Sequence, residues 1–164
     1  MVSPRIKVSC LSIVVCLVLH SIPVFPSSWD YTKPNEVPAL VQTLKNGDEE
    51  ARRKAAYRLG EIWPRDKAGE AISALIIALR DPSYQVRWTA ASSLGRLEAT
   101  EAVDALIKAT NDQIPVVAQS AAQSLGQVGP PALRAEPYIL ELLADKDYTA
   151  RKIAAVALSR MSYI

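Results

Sequence analysis

The sequence has few of the residues on which most enzymes and metal sites depend. It contains one histidine, His20, and two cysteines, Cys10 and Cys16, and all three lie within the first 28 residues. Residues 29–164 therefore offer no Cys/His or Ser/His/Asp arrangement, no conventional zinc site and no disulfide. We expect no catalytic residue, no metal site, no cofactor and no enzymatic activity, and stability has to come from packing.

Aromatic residues, glycine and excess charge are also scarce. One Phe and six Gly accompany a hydrophobic share of 49%, a composition typical of helices that pack through small side chains. Without Arg5 and Lys7 the 19 basic residues fall to 17, which equals the 17 acidic residues. A neutral chain has no general attraction to nucleic acid or anionic lipid, so nucleic acid is not an expected partner.

The longest apolar run lies near the N terminus. About ten apolar residues at 10–19 follow Arg5 and Lys7 and precede a Pro/Ser-rich stretch, which is the layout of a secretory signal. Residues 8–25 approach the roughly 20 apolar residues of a membrane span but are interrupted by polar residues and proline. We interpret residues 1–28 as a signal peptide or an uncleaved N-terminal anchor. The chain is then exported (periplasmic or extracellular) or membrane-anchored.

An internal repeat organises the remainder of the chain. Four similar segments recur at spacings of 35, 31 and 33 residues: 55–60, 90–95, 121–126 and 154–159. Apolar residues fall in register upstream of them, at Leu40, Leu75, Leu106 and Ile139, each followed by a second apolar residue, Val41, Ile76, Ile107 or Leu140, and these pairs are the predicted cores of the first helices. A polar turn separates the two parts of each unit, at 46–48, 81–83, 112–114 and 145–147, and supplies capping side chains to the second helix. Each unit is thus predicted to be a helix, a tight turn, a second helix and a linker.

The second helices carry a buried stripe. In the second unit Val86, Ala90, Leu94 and Leu97 recur at helical spacing, and alanine in the middle of the stripe permits close helix approach. One unit cannot bury enough apolar surface to order itself, so the units must stack. We predict an all-α fold, a right-handed α-solenoid (α-α superhelix) of about four helical hairpins.

The predicted boundaries follow from this period. Residues 29–35 form a linker or N-terminal cap in which Trp29 and Tyr31 cover the first repeat, and residues 36–164 form the repeat domain. Its repeats are about 36–70, 71–101, 102–135 and 136–164. Trp63, in the first inter-repeat linker, is expected to pack on its neighbour.

The pattern resembles HEAT repeats, in particular the short type that looks like the repeats of phycobilisome lyase proteins. The motif in the second unit is 81–87, followed by Ala90-Ala91 and Leu94-Gly95, and parts of it recur at 59–62 and 125–130. The resemblance covers residues 36–164. Two departures mark the third unit as the expected weak point: Ala118 and Thr110 replace an Arg and a Leu of the other units.

The resemblance implies a structural role for charged residues at the turns. In proteins with similar repeats, pairs six residues apart link successive turns into a ladder. The corresponding residues, which we call the turn ladder, are Asn46, Arg52, Asp81, Arg87, Asp145 and Arg151.

A second set of residues lies off the buried stripe of the second helices and in register from unit to unit. Second helices usually line the concave face of such solenoids, and aromatic and Arg side chains are frequent at interface hot spots. We call this set the second-helix face: Arg53, Tyr57, Tyr84, Trp88, Gln119, Gln123, Tyr148 and Lys152. The competing interpretation is that these large side chains pack along neighbouring helices.

These observations favour a non-enzymatic scaffold that binds a partner protein along the second-helix face. The alternative is an accessory factor resembling bilin lyase subunits that handles a tetrapyrrole or its carrier protein; the residues for such an activity cannot be transferred from generic repeat positions. A third reading is a structural module with an uncleaved membrane helix. We expect a monomer.

Overall fold

The computed structural model describes residues 31–162, and this part of the chain is helical apart from one isolated β-bridge. Its eight α-helices form four hairpins. The first helices are α1 Val37–Asn46, α3 Gly69–Ala78, α5 Val103–Ala109 and α7 Glu136–Leu143, and the second helices are α2 Glu49–Leu59, α4 Tyr84–Arg96, α6 Pro115–Val128 and α8 Tyr148–Met161. Short 3-10 segments precede the four first helices, at Pro34–Glu36, Arg65–Lys67, Thr100–Ala102 and Pro130–Ala135.

The four hairpins lie side by side in chain order. Each second helix packs against the second helix of the next hairpin, from α2 to α4, α6 and α8, while the first helices approach one another less closely. The predicted all-α solenoid of about four hairpins is confirmed.

The core runs through the second helices as the repeat predicts. Leu59, Leu94 and Leu125 occupy equivalent positions and are fully buried, as is the predicted stripe residue Val86. Their burial between hairpins is the main apolar stabilisation, since each side chain contributes about 1.5–3 kcal/mol when removed from water.

Small residues set the close spacing of the second helices. A Cβ added to Gly60 would lie 2.6 Å from Ser93 Cβ, and one added to Gly126 would lie 2.6 Å from Ala157 Cα. Ser93 Oγ also donates to the Ala56 carbonyl across this contact, at 2.8 Å. Real Cβ atoms do not approach other carbons this closely, so the packing distance depends on glycine at these positions.

The turns cap the second helices in two ways. Asp48 and Asp147 are N-caps whose carboxylates accept from the backbone N–H groups of Ala51 and Thr149. The residues before α4 and α6, Ser83 and Ile114, make no such capping bond. In these two turns Asp81 and Asp112 accept instead from the backbone N–H groups of Ser83 and Ile114. The prediction of a capping side chain therefore holds for two of the four turns.

The first hairpin departs from the predicted register. Leu75, Leu106 and Ile139 are fully buried, but Leu40 is half-buried and Val41 takes the core position. α1 has one neighbouring hairpin among the described residues, and its buried residues are Val37, Val41 and Leu44. α3 begins at Gly69, two residues before the predicted repeat boundary at 71.

Thr32 joins the N-terminal segment to the first hairpin. Its N–H donates to the Glu61 carbonyl at 2.9 Å, its carbonyl accepts from the Trp63 N–H at 3.2 Å, and its side chain is fully buried. Tyr31 and Trp63, expected to cover or pack on the repeats, both remain exposed. Within residues 31–162, the contact of the N-terminal segment with the first hairpin is made by Thr32 in a β-bridge to Ile62 and not by Tyr31.

Several predictions lie outside the described residues. The signal peptide or anchor at 1–28, including the tether at 8–25, and the covering role of Trp29 fall before residue 31. Within 31–162, no helix combines the length and apolar character needed to cross a bilayer.

Candidate protein-binding face

The second-helix face is carried by four neighbouring helices. Tyr57 lies on α2, Tyr84 and Trp88 on α4, and Tyr148 on α8, with exposed fractions of 49%, 43%, 43% and 68%. Exposure of this size is what the binding interpretation requires, because an aromatic ring packed along a neighbouring helix would be mostly covered. Gln123 and Lys152 are likewise exposed.

Tyr57 is held in place by an arginine that the sequence analysis did not include. The guanidinium of Arg96 lies 4.7 Å from the centre of the Tyr57 ring, within the range of a cation–π contact. Arg96 also pairs with Glu61 at 2.9 Å and donates to Ser93 Oγ at 3.0 Å. Its Nε is buried without a hydrogen-bond partner among the described residues. These contacts hold the Tyr57 ring at the interface between α2 and α4.

Arg53 is engaged within its own helix. Its Nε and Nη2 donate to the two carboxylate oxygens of Glu50 at 2.9 and 2.8 Å, and Lys54 lies 3.4 Å from the same carboxylate. The hydrogen bond from Arg53 lowers the pKa of Glu50 to about 2. A partner that contacts Arg53 therefore meets an arginine already bound to a carboxylate rather than a free guanidinium.

Gln119 links two hairpins. Its Nε2 donates to Asp147 Oδ2 at 2.7 Å, from α6 to the turn before α8. Asp147 also accepts from the Thr149 N–H, and these bonds, led by that of Thr149, hold the pKa of Asp147 below its ordinary value. Gln119 thus has a structural contact that the sequence did not indicate.

The turn ladder forms between hairpins rather than within one turn. Arg52 Nε and Nη2 donate to the Asp81 carboxylate at 2.7 and 3.0 Å. Arg87 binds Asp112 with the same two distances. Each arginine also uses Nη1 to hold its own turn: Arg52 donates to the Gly47 carbonyl at 3.0 Å, and Arg87 to the Asp81 carbonyl at 2.8 Å.

Three residues of the predicted turn ladder form no bond between hairpins of the kind made by Arg52 and Arg87. The Asn46 amide donates to Gln42 within α1 at 3.3 Å. Asp145 accepts from the Asp147 N–H at 2.8 Å but receives no arginine from the described part of the chain, where Ala118 occupies the position equivalent to Arg52 and Arg87. Arg151 holds the carbonyls of its own turn. Asp112, a rung of the ladder, appeared in the sequence analysis only as a turn residue.

A groove lies between α1 and α3. Its lining includes Leu44, Ala74 and Ile77 together with the Arg52–Asp81 pair. Ile77 is 65% exposed. Among residues 31–162 no group of three or more His, Cys, Asp or Glu side chains is placed to hold a metal ion.

Comparisons with known proteins agree with this architecture. The family model described as HEAT repeats matches residues 37–126 and 103–163. A search of curated proteins gives no match.

Solved structures show similar folds. One is the complex of CpcE and CpcF of phycocyanin lyase from Nostoc sp. PCC7120, with 22% identity, a TM-score of 0.59 and coverage of 77% of this chain and 78% of that one. Human deoxyhypusine hydroxylase shows 26% identity and a TM-score of 0.62 over 76% of this chain and 43% of that one. A designed armadillo repeat protein in complex with the peptide (KR)4 shows 18% identity and a TM-score of 0.65 over 81% and 71%.

The chain spans less than half of the hydroxylase and 62% of an engineered protein with a similar fold. Because the HEAT repeat model matches residues 37–163 in two overlapping segments that span the four observed hairpins, the chain belongs to the HEAT repeat family.

Proposed function

We propose that this HEAT repeat protein is a non-enzymatic scaffold that binds an extended segment or a helix of a partner protein along the second-helix face. The observation that carries the proposal is the exposure of four aromatic side chains on the second helices α2, α4 and α8, namely Tyr57, Tyr84, Trp88 and Tyr148. Aromatic rings left in water on a rigid face provide much buried area at a small loss of side-chain entropy when a partner covers them.

The charges of the face support apolar rather than electrostatic capture. Arg53 is paired with Glu50, and Arg96 with Glu61, so the cations beside the aromatic rings are locally compensated. Long-range steering by charge is then weak, and affinity comes from ring burial and from hydrogen bonds to groups such as Gln123.

Two similar structures support a protein partner in general terms. The designed armadillo repeat protein is in complex with a peptide, and the CpcE and CpcF chains are in complex with each other. At 18% and 22% identity these are likenesses of fold, and they do not identify a partner of this chain.

Peptides of about 16 residues, which are long enough to cross several repeats, are selected from a displayed random library for binding to the parent chain. We expect the selected peptides to bind Trp88→Ala about tenfold or more weakly, the size of an interface hot spot. Ile77→Ala is the matched control, since Ile77 is a large, exposed apolar residue on a first helix. Peptides that bind Trp88→Ala as well as the parent, or that depend on Ile77, would remove the proposed face.

The bilin alternative gains no side-chain support, because the likeness to the phycocyanin lyase subunits is one of fold. A visible absorption band that appears when the purified chain is mixed with bilin would favour it. Export and a monomeric state remain predictions. N-terminal sequencing of the processed protein tests the first, and a start near Trp29 would rule out the anchor.

A further inference from the structure

We propose that the groove between α1 and α3 is a second binding site, and that it takes an acidic segment of a partner protein in which apolar side chains are flanked by carboxylates. The residues that carry this site, which we call the first-helix groove, are Leu44, Lys45, Ala74, Ile77 and Arg80. None of them belongs to the second-helix face.

The apolar part of the groove includes one side chain that the repeat does not require. Leu44 and Ala74 are buried, whereas Ile77 is 65% exposed. The residues equivalent to Ile77 in the other three hairpins are polar and exposed: Gln42, Lys108 and Glu141. The fold is therefore formed without an apolar residue at this position, and an exposed isoleucine gains free energy only when another molecule covers it.

The charged part of the groove is basic. Lys45 and Arg80 have exposed side chains, and neither side chain makes a hydrogen bond or ion pair with a described residue. Arg52 also lines the groove, but its charge is compensated by Asp81, to which it is bound. The negative ends of α1 and α3 offset about half a charge each, so the two unpaired cations leave the groove positive.

The two cations occupy equivalent positions of neighbouring hairpins. The corresponding residues of the third and fourth hairpins are uncharged, Asn111 and Ala144, so this pair of cations is particular to the first-helix groove. Neighbouring helices lie about 10 Å apart, a distance that three residues of an extended chain span at about 3.3 Å each. A segment with a carboxylate on each side of an apolar pair can therefore reach both cations and cover Ile77.

The charge of the groove favours a partner protein over other occupants. The charged residues of the N-terminal segment 1–28 are Arg5 and Lys7, which have the same sign as the groove. A bilayer fits poorly as well, because Ile77 is the one large apolar side chain exposed in the groove among the described residues. A single such side chain gives little apolar contact with a membrane.

The first-helix groove and the second-helix face can be tested separately. One exposed apolar side chain and two exposed cations provide less binding energy than four aromatic rings, so an unbiased peptide selection should return ligands of the second-helix face first. Selected peptides that depend on Ile77 and not on Trp88 would count against that face and in favour of the groove.

The test titrates the full chain with a fluorescently labelled peptide whose core has two leucines between two pairs of glutamates. Fluorescence anisotropy should give a Kd on the order of 0.1 mM at low salt. A matched peptide with glutamine in place of every glutamate should bind at least about tenfold more weakly, and high salt should remove most of this difference because it screens exposed charges.

Three variants define the groove. Charge reversal by Lys45→Glu with Arg80→Glu should abolish binding of the acidic peptide and allow binding of a peptide with lysine in place of glutamate. Ile77→Gln, which matches Gln42 of α1, should weaken the acidic peptide roughly tenfold, because the apolar contact is lost. Lys108→Gln removes an exposed lysine of α5 outside the groove and should leave the Kd unchanged, and circular dichroism checks that each variant is folded.

Four results would overturn the proposal. They are no binding at millimolar acidic peptide, equal affinity for the glutamine peptide, unchanged binding by Ile77→Gln, and unchanged binding by the charge-reversed chain. Self-association of the chain alone that charge reversal abolishes would assign the groove to a second copy. Binding to vesicles of anionic lipid that the same change abolishes would assign it to a membrane, and either outcome overturns the proposal as well.

Discussion

Arg87 donates two hydrogen bonds to Asp112 across the boundary between the second and third hairpins, with Nε–Oδ2 and Nη2–Oδ1 distances of 2.7 and 3.0 Å. Both side chains are largely shielded from solvent. The same guanidinium holds the Asp81 carbonyl, so one side chain fixes its own turn and the position of the next hairpin.

We predict that Arg87→Ala lowers the free energy of unfolding by about 1.5–3 kcal/mol, the range for hydrogen bonds to charged groups. Urea unfolding followed by circular dichroism measures the change. Arg80→Ala, which removes an exposed arginine just before the same turn, is the control and should change stability by less than about 0.5 kcal/mol. Equal losses of unfolding free energy in the two variants would show that Arg87 contributes no more to stability than the exposed Arg80.

The ladder also predicts a response to acid. Arg87, followed by the Ile114 N–H, holds the pKa of Asp112 below its ordinary value. A carboxyl whose pKa is lower in the folded state stabilises the fold above its unfolded pKa of about 3.9, and this contribution is lost as the pH falls toward the folded pKa. The difference in unfolding free energy between the parent and Arg87→Ala should therefore shrink from about pH 6 to about pH 2.5. A difference that stays constant over this range would contradict the assignment.

Gly126 provides a test of helix spacing. A Cβ there would lie 2.6 Å from Ala157 Cα and 2.9 Å from Ala157 Cβ, so α6 and α8 would have to separate. We expect Gly126→Ala to destabilise the chain by about 1–3 kcal/mol, as overpacking does. Gly69→Ala is the matched control, because a Cβ at Gly69 meets no atom within 4 Å and should stabilise by about 0.4–1 kcal/mol. The two thermal midpoints should move in opposite directions.

The missing rung can be restored. Ala118 lies where Arg52 and Arg87 reach forward, and Asp145 is the carboxylate that such an arginine would meet. We predict that Ala118→Arg raises the unfolding free energy by about 0.5–1.5 kcal/mol, the net worth of a typical hydrogen bond. Adding Asp145→Asn should remove most of the gain. A gain that survives this second change would mean that the new arginine acts elsewhere.

The third hairpin shows how a sequence departure is accommodated. Thr110, in place of a leucine, is buried, and its hydroxyl donates to the Ile107 carbonyl at 2.7 Å. Gln119 takes over from the absent arginine by binding Asp147 rather than Asp145. The first bond lies within one hairpin and the second joins two hairpins, so the third hairpin is not simply the repeat with two contacts deleted.

Repetition made the helices, the turns and the buried leucines predictable. The Ala-Ala and Leu-Gly pairs recur because each inner second helix meets an equivalent neighbour, so one period predicts the buried positions of the second helices. The first hairpin is less predictable for the same reason. With one neighbouring hairpin among the described residues, α1 buries Val41 where the period indicates Leu40.

The sequence by itself determined the α-solenoid and its four hairpins and indicated the exposed aromatic positions of the second helices, since these depend on local spacing along the chain. Only the tertiary structure decided which aspartate each arginine binds, and that Arg96 holds Tyr57. Such pairings depend on distances between hairpins, which sequence spacing does not encode.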